Sequence, residues 1–181
     1  LQNHGLIVTS DRFERIRPLV DDVLRGTGRL ADPGIGRYRL VTEVSSLVRK
    51  ATGRRPAVIL SDDMVLRRWA RRRRELFFAR PSCPDTRVFC GLGAVEVTAP
   101  GATRPIARYF EIHGEPPRVV FYKGEIFLVS RNVRKARETE EVLKATILSI
   151  SKTRLADLRT LPLQELRYLG GWDAEKYRQQ R

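Results

Sequence analysis

The 181-residue chain is long enough for one domain or two small ones, and at 41% hydrophobic it can bury a core, which excludes global disorder. It carries 35 Lys+Arg against 21 Asp+Glu, a net charge of +14 and a pI near 10.8, a balance that raises nucleic acid as a partner class. No apolar run approaches ~18 residues and no charged-then-apolar signal segment opens the chain, so nothing argues for a membrane span or for export.

In chain order, the run Leu6-Ile7-Val8 reads as a strand ending at Ser10, and Asp11 as the cap of a helix to about Arg25. Phe13, Ile16, Leu19, Val20, Val23 and Leu24 recur there at helical spacing, interrupted at Pro18, and Gly26-Thr27-Gly28 ends the element. After a loop over 32–36, Leu40, Val41, Val44, Leu47 and Val48 line one face of a second helix over about 38–51. Residues 57–60 read as a short buried strand, with Ser61 and Asp62 capping a helix over about 63–78. Residues 87–90 and 94–97 read as two strands about a Gly91-Leu92-Gly93 turn. A short helix over 106–113 follows, then strands over 118–122 and 125–129 joined by Lys123-Gly124. Ser130 or Asn132 caps the longest helix, to about Lys152, and two short helices over about 162–169 and 173–179 form the tail. Strands alternating with helices predict an α/β (α+β layered) fold.

One unit recurs. N-H-G-L-I-V-T-S and a helix ending V-D-D-V-L echo Y-K-G-E-I-F-L-V-S and the helix carrying E-E-V-L. Glycine serves the turn in both copies, but Lys123 stands in the second where His4 stands in the first. A residue needed only for the turn need not be an imidazole, so His4 reads as an addition to a scaffold.

The remaining chemistry is sparse. Cys83 and Cys90 have six residues between them, which matches no metal or redox spacing; they read as two small buried apolar residues in a reducing cytosolic setting. Lysine occurs only at 50, 123, 135, 144, 152 and 176, an arginine skew of the kind a GC-rich coding bias produces. Six arginines crowd positions 67–74, and a solvated helix face is the plain account of them; a phosphate-rich partner or an acidic subunit surface is the functional one. Helix phase assigns Trp69, the one aromatic among them, to the core, which leaves no base-stacking surface and makes nucleic acid the weaker partner. Adjacent Asp62 and Asp63 point different ways on a helix, so capping accounts for them better than paired acid–base work. Asp85 reads as a turn residue, and Trp172 and Tyr177 as anchors of the last helix. His113 reads as a cation at a helix C-terminus.

His4 has the residue type for a metal ligand, since neutral imidazole is the commonest protein ligand for zinc. Gly5 beside it allows close approach of backbone or substrate, and Asn3 can orient a neighbouring ligand by hydrogen bonding to it. A catalytic zinc needs about three protein ligands, and the other histidine, His113, is over a hundred residues away.

L-Q-N-H-G-L-I-V followed by a polar residue and an amphipathic helix resembles a segment of the class II (metal-dependent) aldolase/adducin family, the one that supplies the last of three zinc histidines. Three later segments resemble the C-terminal extension of that family's longer members: P-S-C-P-D-T-R-V-F-C-G, P-R-V-V-F-Y-K-G-E-I-F-L-V-S-R-N-V-R-K-A-R and L-G-G-W-D-A-E-K-Y-R. The resemblance covers most of the chain, and its specificity lies in the order of the motifs. It implies that His4 is a Zn²⁺ ligand with Asn3 and Gly5 behind it, and that the intact protein is a cytoplasmic homo-oligomer. The metal would act as a Lewis acid in retro-aldol cleavage of a sugar phosphate or related hydroxy-carbonyl compound. It also implies a division into residues 1–30, the last strand-turn-strand-helix of a three-layer catalytic fold, 31–160, an α/β extension, and 161–181, a helical tail. In the family the paired His-x-His ligands, the acid–base carboxylate and the phosphate loops lie upstream of the N-H-G segment. The chain therefore begins about where the catalytic half finishes, and alone it is expected neither to bind zinc tightly nor to turn over substrate. Beside the lyase stands the alternative of a non-catalytic, adducin-like scaffold or subunit-interaction protein.

Overall fold

The computed structural model describes residues 8–30 and 35–171. The chain divides into two compact units, Leu1–Tyr38 and Arg39–Arg181. The first holds helix α1, Phe13–Leu30, which continues through Pro18 and past the glycines at 26 and 28 where the sequence pattern predicts its end. Phe13 at its start is 85% exposed and Leu19 is 40% exposed, so the apolar stripe that predicts this helix is largely unburied. Val8 to Ser10, expected as the end of a strand, have no regular structure.

The second unit is a sheet covered on both faces. Helix α2 (Ile35–Thr52), which begins in the first unit, leads into strand β1 (Ala57–Leu60), helix α3 (Met64–Arg72) and a 3₁₀ turn (Arg74–Phe78). Helix α4 (Pro84–Cys90), strand β2 (Val95–Val97), helix α5 (Arg104–His113) and the hairpin of β3 (Val119–Tyr122) and β4 (Glu125–Ser130) follow. Helices α6 (Val133–Ile150) and α7 (Leu163–Gly171) close the described chain.

The strand order is β1-β4-β3-β2, with β1 and β3 antiparallel to β4 and β2 parallel to β3. Tyr122 pairs with Glu125, so Lys123 and Gly124 alone make the turn, with φ of +49° and +79°. Both values are left-handed, as the two-residue turn that matches the twist of a hairpin requires.

Strand side chains alternate between faces. Val119, Phe121, Ile126 and Leu128 join Leu66 of α3, Cys90 of α4 and Ala136, Leu143 and Ile147 of α6 in one cluster. Val120, Tyr122, Phe127 and Val129 join Val44, Leu47 and Val48 of α2 and Ile106 and Tyr109 of α5 in the other. Covering on both faces explains why β3 and β4 read as unbroken apolar runs and not as alternating ones.

Three local expectations are overturned. Residues 87–90 form helix α4 and not a strand: Pro84 stands in its first turn with Asp85, and Gly91 (φ +77°) closes it, so Asp85 is a helix residue and the Gly91-Leu92-Gly93 stretch is no hairpin turn. A Cβ at Gly91 would lie 2.9 Å from the Tyr109 hydroxyl, so the position needs glycine for space as well as for backbone. The cap of α3 is Asp63, whose Oδ1 accepts the Val65 and Leu66 N–H groups at 2.9 Å; Ser61 is instead fully buried, its N–H donating to Ile126. Cys83 is exposed and only Cys90 is buried, because Cys83 sits at the open N-terminal flank of α4 while Cys90 faces the core.

Candidate functional site

His4, Asn3 and Gly5 lie outside the described residues, as do Trp172 and Tyr177. Among the described residues no three His, Cys, Asp or Glu side chains come together as a metal site. His113 ends α5 with its ring edge-on to Tyr109, centroids 4.5 Å apart. Burial lowers its pKa and the nearby Arg87 lowers it further, against the opposing pull of Glu115. The Cys90 thiol is pushed up to about 12, mainly by burial, which makes it unreactive as a thiolate.

The arginine run at 67–74 is two different things. Arg73 Nη1 donates to the Ser151 and Thr153 carbonyls at 3.0 and 2.9 Å, satisfying acceptors at the end of α6. Arg74 pairs with Glu96 at 2.6 Å and lies 4.5 Å from the centre of the Phe121 ring. Arg67, Arg68, Arg71 and Arg72 of α3 have no acidic partner among the described residues. Trp69 packs against the core as its helix phase predicts, so a solvated face remains the account of those four.

A different basic cluster forms a concave site. It lies where the C-terminus of β4 meets the N-termini of β1 and β3, with Ala57 opposite Ser130 across the strand pair. Arg54 and Arg55 approach from the link between α2 and β1, Arg118 from the residue before β3, Arg131 from the junction of β4 and α6, and Lys135 from the first turn of α6. Pro56 and Pro116 supply an apolar surface, and the volume of this half-open pocket is about 330 Å³. Small-ligand sites begin at roughly this size, ~300 Å³.

Among the described residues five cations line this pocket and one carboxylate, Glu115. That carboxylate is already engaged. Its Oε1 lies 2.6 Å from Nη1 of the buried Arg87, an ion pair whose geometry is not that of a hydrogen bond, and Oε2 lies 3.9 Å from Arg118. Arg87 also donates from Nε to the Leu166 carbonyl at 3.0 Å, which ties α4 and α7 to this corner.

The start of α6 adds a fixed positive end. Asn132 caps the 18-residue helix by accepting the Lys135 N–H at 2.8 Å, which leaves Val133 and Arg134 N–H without an acceptor inside the helix. No acidic residue stands in the first turn; Arg134 and Lys135 do, and both reach forward to Glu138. Cations there oppose the helix dipole, and Glu138, one turn further on, partly offsets them.

Sequence reasoning did not find this pocket. Its cations come from separate segments, and only the folded sheet places the two strand N-termini beside one strand C-terminus.

No family model, curated protein or solved structure compared with the chain matches it.

Proposed function

We propose that the chain is the C-terminal portion of a class II aldolase-like lyase, which in its intact form cleaves a sugar phosphate or related hydroxy-carbonyl compound with a divalent metal. The observation that carries this reading is the order of the four motif segments, from N-H-G-L-I-V to L-G-G-W-D-A-E-K-Y-R. Two of these segments lie within the described residues. The segment at 81–91 forms α4, which packs on both α6 and α7, while the segment at 117–137 forms the β3–β4 hairpin and the start of α6. Thr139 of α6 donates to the Phe89 carbonyl at 3.0 Å, and Gly91 abuts the Arg118 side chain. These motifs hold the extension together, and the reacting groups belong upstream of Leu1.

The described residues offer a metal no site of their own. On this reading the ion takes His4 together with ligands supplied from upstream, and it contributes Lewis-acid polarisation of the substrate carbonyl.

The test is metal titration of this chain and of a longer one that includes the upstream coding sequence. The longer protein should bind one divalent ion per subunit, lose it in His4→Ala, and cleave a ketose phosphate when loaded. Tight one-to-one zinc binding by the 181-residue chain, or an upstream sequence without a His-x-His pair, sinks the proposal.

A further inference from the structure

The pocket at the end of the sheet has features that its neighbours in the fold do not use. The side chains of Arg54, Arg55 and Arg131 have no acidic partner among the described residues. Like charges gathered in a concave site repel one another, less so where water reaches side chains as exposed as these. Such an arrangement persists most readily where an anion visits. Arginine suits one kind of anion well, because its planar fork matches the oxygens of a phosphoryl group with two parallel hydrogen bonds.

The α6 N-terminus points to the same chemistry. Two of its N–H groups lack an acceptor within the helix, and its positive end is flanked by Arg131 and Lys135 and by no carboxylate of its first turn. The shape adds a second requirement. A space of about 330 Å³ with Pro56 and Pro116 on its wall is larger than inorganic phosphate needs, and its apolar part suits an organic body. An extended nucleic-acid strand fits less well, since it asks for a groove with stacking aromatics, and among the described residues the lining holds none.

We propose that this pocket binds a small phosphorylated metabolite, its phosphoryl group between Arg55, Arg131 and the N-terminus of α6 and its organic body against Pro56 and Pro116. The site is distinct from the metal chemistry of the lyase reading and stands without it. Arg118, near Glu115, and Lys135, paired with Glu138, line the rest of the wall as cations already engaged by carboxylates.

The test is amide-resolved NMR titration of the chain at low salt with a hexose phosphate, inorganic phosphate, the unphosphorylated hexose and a short DNA duplex. The hexose phosphate should shift the amides of Arg131, Val133 and Arg134 saturably, inorganic phosphate the same amides more weakly, and the free hexose none. The double variant Arg55→Ala/Arg131→Ala removes two side chains without internal partners, so it should keep its melting temperature and weaken hexose phosphate binding by ~10-fold or more. Arg68→Ala/Arg72→Ala removes the same charge from α3 and should change affinity by less than about twofold. Equal weakening by both double variants reduces the effect to net charge and overturns the proposal. So does the absence of saturable shifts with either phosphate. Duplex DNA that displaces the hexose phosphate from these amides reassigns the pocket to nucleic acid and overturns it as well.

Discussion

Arg87 is 6% exposed, with its guanidinium shared between the Glu115 carboxylate and the Leu166 carbonyl. Taking a cation out of water is costly, and the partners offset that cost only while all are present. Arg87→Ala leaves Glu115 without its 2.6 Å partner and α7 without its link to α4, so urea unfolding should show a loss of about 3 kcal/mol. A loss under ~1 kcal/mol means the pair contributes little. His113 carries the pH dependence at this corner. Burial first and Arg87 second lower its folded pKa below the ordinary 6.5, so the unfolded chain takes up the proton before the folded one. Its contribution is therefore intact above pH 6.5 and is lost as pH falls from there through the folded value. His113→Gln should flatten the decline in stability in that window, measured by thermal melts across it; an unchanged slope removes His113 as its source. In the sequence His113 is legible as a helix-terminal residue, because Gly114 follows and α5 does end there in the left-handed conformation. Its edge-on contact with Tyr109 follows from their i,i+4 spacing on one helix face, whereas its place beside Arg87 joins positions that only the fold brings together.

At the scale of elements, helix ends decide what the sequence pattern alone leaves open. Asp63 and Asn132 both show their capping side chain directly, and α6 starts where Asn132 predicts. Asp63 does more than cap. Burial raises its pKa, but the Leu66 amide, the Lys144 ammonium and the Val65 amide together outweigh that, and the net direction is down. The stability it supplies is present above the ordinary carboxylate value and is lost as pH falls through the lowered one. Asp63→Ala should cost about 1–2 kcal/mol at neutral pH in denaturant unfolding, and Asp63→Asn, which keeps the cap and loses the 3.1 Å pair with Lys144, should cost less. Equal costs place the effect in the ion pair and not in the cap. Helix α4 is the instructive misreading. R-V-F-C is too short an apolar run for periodicity to separate strand from helix, and the start signals Pro84 and Asp85 lie just before it. Strands β1, β3 and β4 are legible because their runs are apolar throughout and their turns are marked by Lys123-Gly124 and by Ser61.

Over the whole molecule, the layered α/β arrangement is legible from the order of its elements, whereas the strand order is not. Nothing along the chain says that β1, the first strand of the sheet, lies beside β4, the last. The phosphate pocket depends on that pairing, which is why its arginines are scattered in sequence and adjacent in space. The same pairing makes β3 and β4 the two inner strands, with every residue from Val119 to Tyr122 and from Ile126 to Val129 buried. Their backbone N–H groups are thus shielded from solvent by two strands beside them and by helices above and below. Such amides trade their protons for deuterium only when the entire second unit opens, so their exchange reports its global stability. Exchange mass spectrometry should find β3 and β4 the slowest segments and the largely exposed α1 among the fastest. Rates for β4 as fast as those for α1 contradict a core built on this pair. The hairpin thus acts as the clock of the fold: any ligand that tightens the far end of the sheet, at Ser130 and Arg131, should slow proton exchange in β4, several residues from where it binds.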